Sequence, residues 1–422
     1  MMANRRNRLF SSLLLIATMA FSPFTAMAMT ATAKLQIFPQ EFQGLGDIAL
    51  LISNDGISGG NLYTILNAHG LVHSYFAQSH VINAKFSSDG EWMSTSVIQN
   101  NQLQNWLISA DGKAKINLGT TLYAGAFDPQ GHTYYYSTFG GKFYRITPPG
   151  KPVLLHIKLS PNSRITGISF YNHQQALLSV TENDHNYTDD YDQIASWTSG
   201  SNAIRPLLKS TPPNGLILGP WVNPSTFFYW YDPYHSASIA ADGLPLYVYQ
   251  NGKSMLISHT YTSTGSVLPV NKNSAILWEN SSRSFFLGFK ESLIFWPHQP
   301  LKLPPHLLAM FPALNPTHTD MTVVVGNPYN SRQANSGQAI NRWFSTLQLA
   351  TLPLQGGTLT VLKSAGSGVM DPSFDASGHR IVYSLFNQAV WISASGKGSK
   401  HVIAKVTPST TQNQLQIAAY LP

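Results

Sequence analysis

The stretch DPSFDASGHRIVYSLFNQAVWISASGKGSKHVIAKV, Asp371 to Val406, decides the fold class. It opens on a short apolar run, reverses at Ser377-Gly378 and continues as an alternating strand from Arg380. A second turn, an aromatic strand, a Gly-Lys turn and a last strand complete it. Alternation with period two between Gly, Ser and Asp punctuation is the signature of half-buried strands joined by tight reversals. Four such strands with little between them predict one four-stranded antiparallel unit.

The same pattern recurs outward from this stretch. The second strand of a unit returns at DIALLIS from Asp47, EWMSTSV from Glu91, HTYYYST from His132 and QALLSVT from Gln175. It returns again at FFYWYD from Phe227, SAILWE from Ser274, DMTVVV from Asp320 and RIVYSL from Arg380. These starts lie 41 to 60 residues apart, close to the repeat of a propeller blade. Each is followed by a third strand, such as NWLISA from Asn105 or LYVYQN from Leu246, and in seven cases by a clear fourth. The exception is LKLPPHL from Leu301, where two prolines disfavour a ladder. The chain is therefore expected to be all-β, a single β-propeller of four-stranded antiparallel blades spanning residues 29–422. Eight blades is the leading count, and seven follows if the region Gly288 to His306 is irregular. Radial packing covers both faces of each sheet and leaves only short edges. Two strands compete to complete the first unit, LQIFPQ from Leu35 and LQIAAYL from Leu415, and the C-terminal one is the expected closure.

Composition narrows the function classes. Arg5, Arg6 and Arg8 precede an apolar run from Leu9 to Ala20, and Ala26-Met27-Ala28 is an A-x-A site. That is the layout of a bacterial-type signal peptide, cleaved after Ala28. The mature chain is expected in the periplasm or secreted, with no stable membrane span, since no later segment reaches the roughly 20 apolar residues a spanning helix needs. There is no cysteine, so the core alone must hold an exported fold together. Without the signal arginines, 23 basic face 19 acidic residues, about +4, with no Lys/Arg run. A nucleic-acid partner is not expected. Charged residues make up 11%, far below the roughly 25% of ordinary domains, which suits an uncharged β-rich surface.

The corners AKFSSDGEWMSTS (Ala84 to Ser96), GAFDPQGHTYYYS (Gly125 to Ser137) and DPSFDASGHRIVYS (Asp371 to Ser384) resemble the repeat of TolB-type and WD40-like propellers. The shared pattern is an aromatic, then a Ser/Asp-Pro-Asp-Gly-like turn, then a strand. Asp, Pro and Ser favour the turn, and Gly supplies its positive φ. The resemblance covers three of eight corners and implies repeat architecture rather than an activity.

Candidate sites follow from loop length. First-to-second and third-to-fourth connections are mostly tight turns. Second-to-third connections lengthen in mid-chain, at residues 181–193, 232–243, 279–292 and 326–343. Binding residues concentrate on such loops above a rigid scaffold. A protein partner of the cell envelope is therefore expected on that face. Its candidate contacts are Trp230, Tyr231, Tyr234 and His235, at the end of an aromatic run that is partly strand core by alternation. Tyr329, Arg332 and Arg342 in the Gly326 connection complete the set. Five carboxylates fall between Glu182 and Asp192. Asp184, Asp189, Asp190 and Asp192 are the candidate Ca²⁺ ligands, although the EF-hand spacing is not met, and no other cofactor is expected. The alternative function is an enzyme or binder of a small sugar-like or lactone-like ligand at the central channel mouth. No catalytic motif supports it. Gly56-Ile57-Ser58-Gly59-Gly60 fits G-x-S-x-G but lies between strands instead of at a strand-to-helix elbow. Gly44-Leu45-Gly46-Asp47-Ile48-Ala49 fits a dinucleotide fingerprint without its strand–turn–helix.

Overall fold

Short β-rich runs between turns build the described chain almost entirely from strands, and the second strands of the repeats are buried on both faces. In Arg380–Leu385, Ile381, Val382, Tyr383 and Ser384 are fully buried, so this strand is covered on both faces. The computed structural model describes residues 34–53, 60–66, 71–75, 80–182, 191–233, 243–262, 264–280, 291–297, 299–301, 303–304, 306–329, 337–407 and 414–422. Among these the only α-helix is Gly337–Phe344, here α1.

The described strands form seven sheets, the lower of the two counts the repeats allow. In chain order, sheet 2 holds His80–Phe86, Trp92–Gln99, Gln102–Ser109 and Lys115–Gly119. Sheet 3 holds Leu122–Phe127, Tyr134–Thr138, Phe143–Ile146 and Val153–Leu155. Sheet 4 holds Ser163–Asn172, Gln175–Glu182, Tyr191–Thr198 and Ile204–Lys209. Sheet 6 holds Leu308–Leu314, Asp320–Gly326, Gln348–Pro353 and Thr360–Val361. Each is antiparallel with sequential neighbours, the pattern of a propeller blade. Sheet 5 explains the lower count. The repeats beginning near Phe227 and Ser274 share one eight-stranded sheet, which ends at the two-residue strand Gln299–Pro300 just before the proline-rich LKLPPHL.

The chain packs as two compact units, Asn83–Ala275 and the described part of Met1–Ile82 with Ile276–Pro422. The second unit uses both ends of the chain. In sheet 1 the C-terminal strand Gln414–Leu421 pairs with Asp47–Ser53, from Asp47↔Leu421 to Ser53↔Gln414. The competing strand, Lys34–Ile37, instead adds a fifth strand to sheet 7, whose others are Met370–Phe374, Arg380–Leu385, Gln388–Ser393 and His401–Thr407; Lys34 faces Thr407 and Ile37 faces Ala404. One core serves both sheets: Phe42, Leu45, Ile48, Leu50 and Ile52 pack with Val382, Ile403, Val406 and Leu415. The segment between the two strands is pinned by Arg380. Its guanidinium donates to Gln43 O at 2.7 Å and to Gly44 O, and it lies over the Trp391 ring.

Several first strands carry a bulge, at Ile165/Gly167, Leu218/Trp221, Met310/Ala313 and Met370/Ser373. Three of the four contain a proline, Pro220, Pro312 or Pro372, which cannot donate to the ladder. The residues before the last two, Phe311 and Asp371, take the left-handed conformation, each at φ 50°.

Candidate functional site

The connection between the second and third strands differs from sheet to sheet, and the difference begins in turn chemistry. In sheet 2 the second and third strands join through Asn100-Asn101, at φ 51° and 59°. Asn tolerates that left-handed pair better than most residues, and it makes a two-residue hairpin. Sheet 6 places α1 in the same connection. Trp343 anchors it: its indole N–H donates to Asn327 O at 2.8 Å, and its ring meets Tyr329 at 5.5 Å and Phe344 at 5.0 Å. The last carbonyls of α1 are satisfied by Ser345 Oγ on Arg342 O at 2.7 Å and Thr346 Oγ1 on Trp343 O at 2.7 Å. Such capping ends a helix without orphaned acceptors. Arg342 stands exposed in the last turn, where a cation complements the helix dipole.

The structure corrects several expected contacts. Tyr329 is buried, packed on Trp343, so it props α1 in place of meeting a partner. Trp230 is 1% exposed and its indole N–H donates to Thr260 Oγ1 at 2.7 Å, which makes it core. The aromatic run around it is explained by register. Phe227 opposes Tyr249 and Tyr229 opposes Tyr247, with rings stacked at 4.8 and 5.4 Å, the cross-strand pairing that stabilises sheets. Tyr231 is half-buried against Tyr247 at 6.3 Å. Tyr234, His235 and Arg332 lie outside the described residues.

Asp184, Asp189 and Asp190 also lie outside them. Asp192 is described, and it is not free to ligate. It is buried, Oδ1 accepts from Thr181 Oγ1 at 2.5 Å, and Oδ2 accepts from the Leu216 backbone N–H at 2.8 Å. A carboxylate so occupied joins sheets 4 and 5 and leaves the predicted Ca²⁺ set. Beside it, Tyr191 donates to Glu182, and this bond pushes its phenol up to about 12. Lys209 sits 3.5 Å over the Tyr191 ring.

At the opposite end of the strands, the sheet 2 and sheet 3 corners meet. Gly131 N–H donates to Ser88 Oγ at 2.7 Å, and Ser88 Oγ donates to Gly131 O at 3.1 Å. This brings His132 Nδ1 to 2.7 Å from Asp89 Oδ2 and 3.3 Å from Glu91 Oε2. Partial burial pushes the Asp89 carboxyl up, but hydrogen bonds from Ser87, His132 and the Glu91 backbone outweigh it and hold it below the usual carboxylate range. Among the described residues this is the one His/Asp/Glu trio with ligand atoms all within 4.8 Å of each other. The sequence marked Ser88-Asp89-Gly90 and Gln130-Gly131 only as turns. Nothing in either turn alone signals that they touch.

In sheet 7, Asp371 occupies the bulge. It keeps exposed surface, yet the flanking protein strips enough water from its carboxyl to push it up to about 6.

No family model matches the sequence, and no curated protein matches it. The chain is similar in fold to TolB from Acinetobacter baumannii, with TM-score 0.39, 11% identity, and coverage of 89% of this chain and 67% of that one. It is also similar to an oligogalacturonate lyase from Vibrio parahaemolyticus, at 0.44, 9%, 86% and 98%. A third is the β-propeller domain of the trilobed protease from Pyrococcus furiosus, at 0.43, 8%, 77% and 97%.

Proposed function

We propose that this chain is an exported scaffold, processed after Ala28, that binds a protein partner of the cell envelope through its long second-to-third-strand connections. The observation that supports this reading is α1. A connection that serves only to join two strands needs two residues, as at Asn100-Asn101. The sheet 6 connection instead builds a helix, seats it through Trp343 and Tyr329 and leaves Arg342 exposed. An anchored element with an exposed arginine is the kind of surface that partner contacts favour. The test compares wild type with Arg342→Glu and with a variant whose residues 330–344 are replaced by a tight turn, in a pull-down from envelope extract. A partner that is retained by wild type and lost from both variants, at unchanged melting temperature, supports the reading. A partner indifferent to both variants, or none, overturns it.

The second reading, a small-ligand or catalytic site, is favoured by Asp371. A carboxyl raised to about 6 on a strained first-strand bulge is poised to exchange a proton near neutral pH. Saturation binding of a panel of acidic and neutral sugars and lactones to wild type and Asp371→Asn separates the two readings. No differential binding removes the second.

A further inference from the structure

We propose that Asp89, Glu91 and His132 bind one divalent transition-metal ion, of zinc-like chemistry, and so clasp the sheet 2 and sheet 3 corners together. An imidazole nitrogen with two carboxylate oxygens is a donor set that suits such an ion, completed by water at a position left open. The side chains of His132, Asp89 and Glu91 are 25%, 29% and 66% exposed, so the fourth position faces solvent.

Two features separate this trio from an ordinary surface ion pair. The first is convergence. One Nδ1–H serves one acceptor, yet two carboxylates turn towards His132 Nδ1, at 2.7 and 3.3 Å. Two negative charges this close repel, and among the described residues neither carboxylate has a Lys or Arg ion pair. A dication held by both carboxylates offsets that repulsion with two positive charges. Ligands at zinc distances of about 2.0–2.2 Å stand roughly 3.3–3.5 Å apart in a tetrahedral arrangement. The Glu91 separation already matches, and the Asp89 separation has to open by less than about 1 Å.

The second feature is support behind the ligands. Asp89 Oδ1 accepts from Ser87 Oγ at 2.6 Å and from the Glu91 N–H at 3.1 Å, which aims Oδ2 at His132. The paired Ser88–Gly131 bonds fix the two corner backbones relative to each other. Gly131 suits the corner because its φ of 101° is one that a residue with a side chain adopts only under strain. Ligands oriented by second partners in this way are a general property of protein metal sites.

The experiment is calorimetric titration of ZnCl₂ into the chelator-stripped full chain at pH 7.5, with CaCl₂ and MgCl₂ as separate arms. Zinc is expected to bind at one ion per chain and to raise the melting temperature. Calcium and magnesium, which demand a fuller set of oxygen ligands, are expected not to compete. Glu91→Gln, on an exposed side chain that folding does not need, and His132→Ala should each weaken binding by tenfold or more and abolish the zinc-dependent melting shift. Ser87→Ala should weaken it about tenfold by releasing Asp89, a positioning effect. Asp111→Asn, a surface carboxylate paired with Lys113 elsewhere, should leave binding unchanged. Absence of a one-to-one event overturns the proposal. So does zinc binding that survives both Glu91→Gln and His132→Ala, which would assign it to the other histidines of the chain.

Discussion

Replacing Leu415 with Ala tests whether the C-terminal strand holds its unit together. Leu415 is fully buried among Phe42, Leu45, Ile48, Leu50, Ile52 and residues of sheet 7. Truncation to Ala removes three carbons, worth about 0.8 kcal/mol each in transfer from water. The cavity left behind adds to this, and comparable buried leucines cost about 2.7–5.0 kcal/mol in total. We therefore expect a loss of about 3–4 kcal/mol. At about 2–4 °C per kcal/mol for a unit of 150–250 residues, that lowers the melting temperature by roughly 6–16 °C. Urea unfolding followed by tryptophan fluorescence reports it, since Trp391 packs on the same core. The midpoint should move while the denaturant slope stays constant. Gln416→Ala, on the neighbouring half-buried position, should change stability by less than about 0.5 kcal/mol. Deleting residues 414–422 removes every pair between this strand and Asp47–Ser53 and should leave the unit unfolded at 25 °C. A Leu415→Ala loss below about 1 kcal/mol, or one equal to Gln416→Ala, would refute the reasoning.

Asp375 has a fully buried side chain, 2.8 Å from Arg380 Nε. Asp375→Ala should therefore cost about 1–3 kcal/mol by leaving the His379 and Arg380 backbone donors unpaired, measured by the same unfolding curves. Burial pushes that carboxyl up, but hydrogen bonds from Arg380 and Ser377 hold it below its usual range. Its contribution is thus present above about pH 4 and lost as pH falls through the lower folded value, a decline that Asp375→Ala should lack. Asp371 runs the other way. With its carboxyl raised to about 6, its contribution is full below about pH 4 and is lost as pH rises to about 6. Asp371→Asn should raise the melting temperature at pH 7 more than at pH 4. An equal gain at both would trace instead to the tolerance of Asn for φ 50°. Gly46→Ala should destabilise by more than about 2 kcal/mol, because at φ 98° its Cβ would meet Leu421 O at 2.2 Å. Thermal melting of that variant checks it.

Much of the fold was legible because strands and corners are local. Alternation is a relation between residues two apart, and Ser88-Asp89-Gly90 reverses the chain through its own side chains. The closure of sheet 1 was legible only as a choice between two strands, LQIFPQ from Leu35 and LQIAAYL from Leu415, and the pairing from Asp47↔Leu421 to Ser53↔Gln414 decides it. The helix α1 was not. Eight residues with a Gly and an Asn do not sustain a helix alone, and the contacts of Trp343 with Asn327 and Tyr329 that hold it come from outside the helix. The roles of single side chains were equally hidden. Trp230 and Asp192 stood among the candidate contacts because the runs around them are aromatic or acidic, and their burial follows from Thr260 and Leu216, 30 and 24 residues away.

By itself the sequence determined an all-β repeat with its tight turns, and it left two strands, one from each end of the chain, as candidates to complete sheet 1. Only the tertiary structure decided that two repeats share one sheet and that Asp192 points inwards. It also brought Asp89 to His132, 43 residues away. The physical reason is range: turn and strand preferences are set by neighbours along the chain, whereas which corner meets which is set by how neighbouring sheets stack.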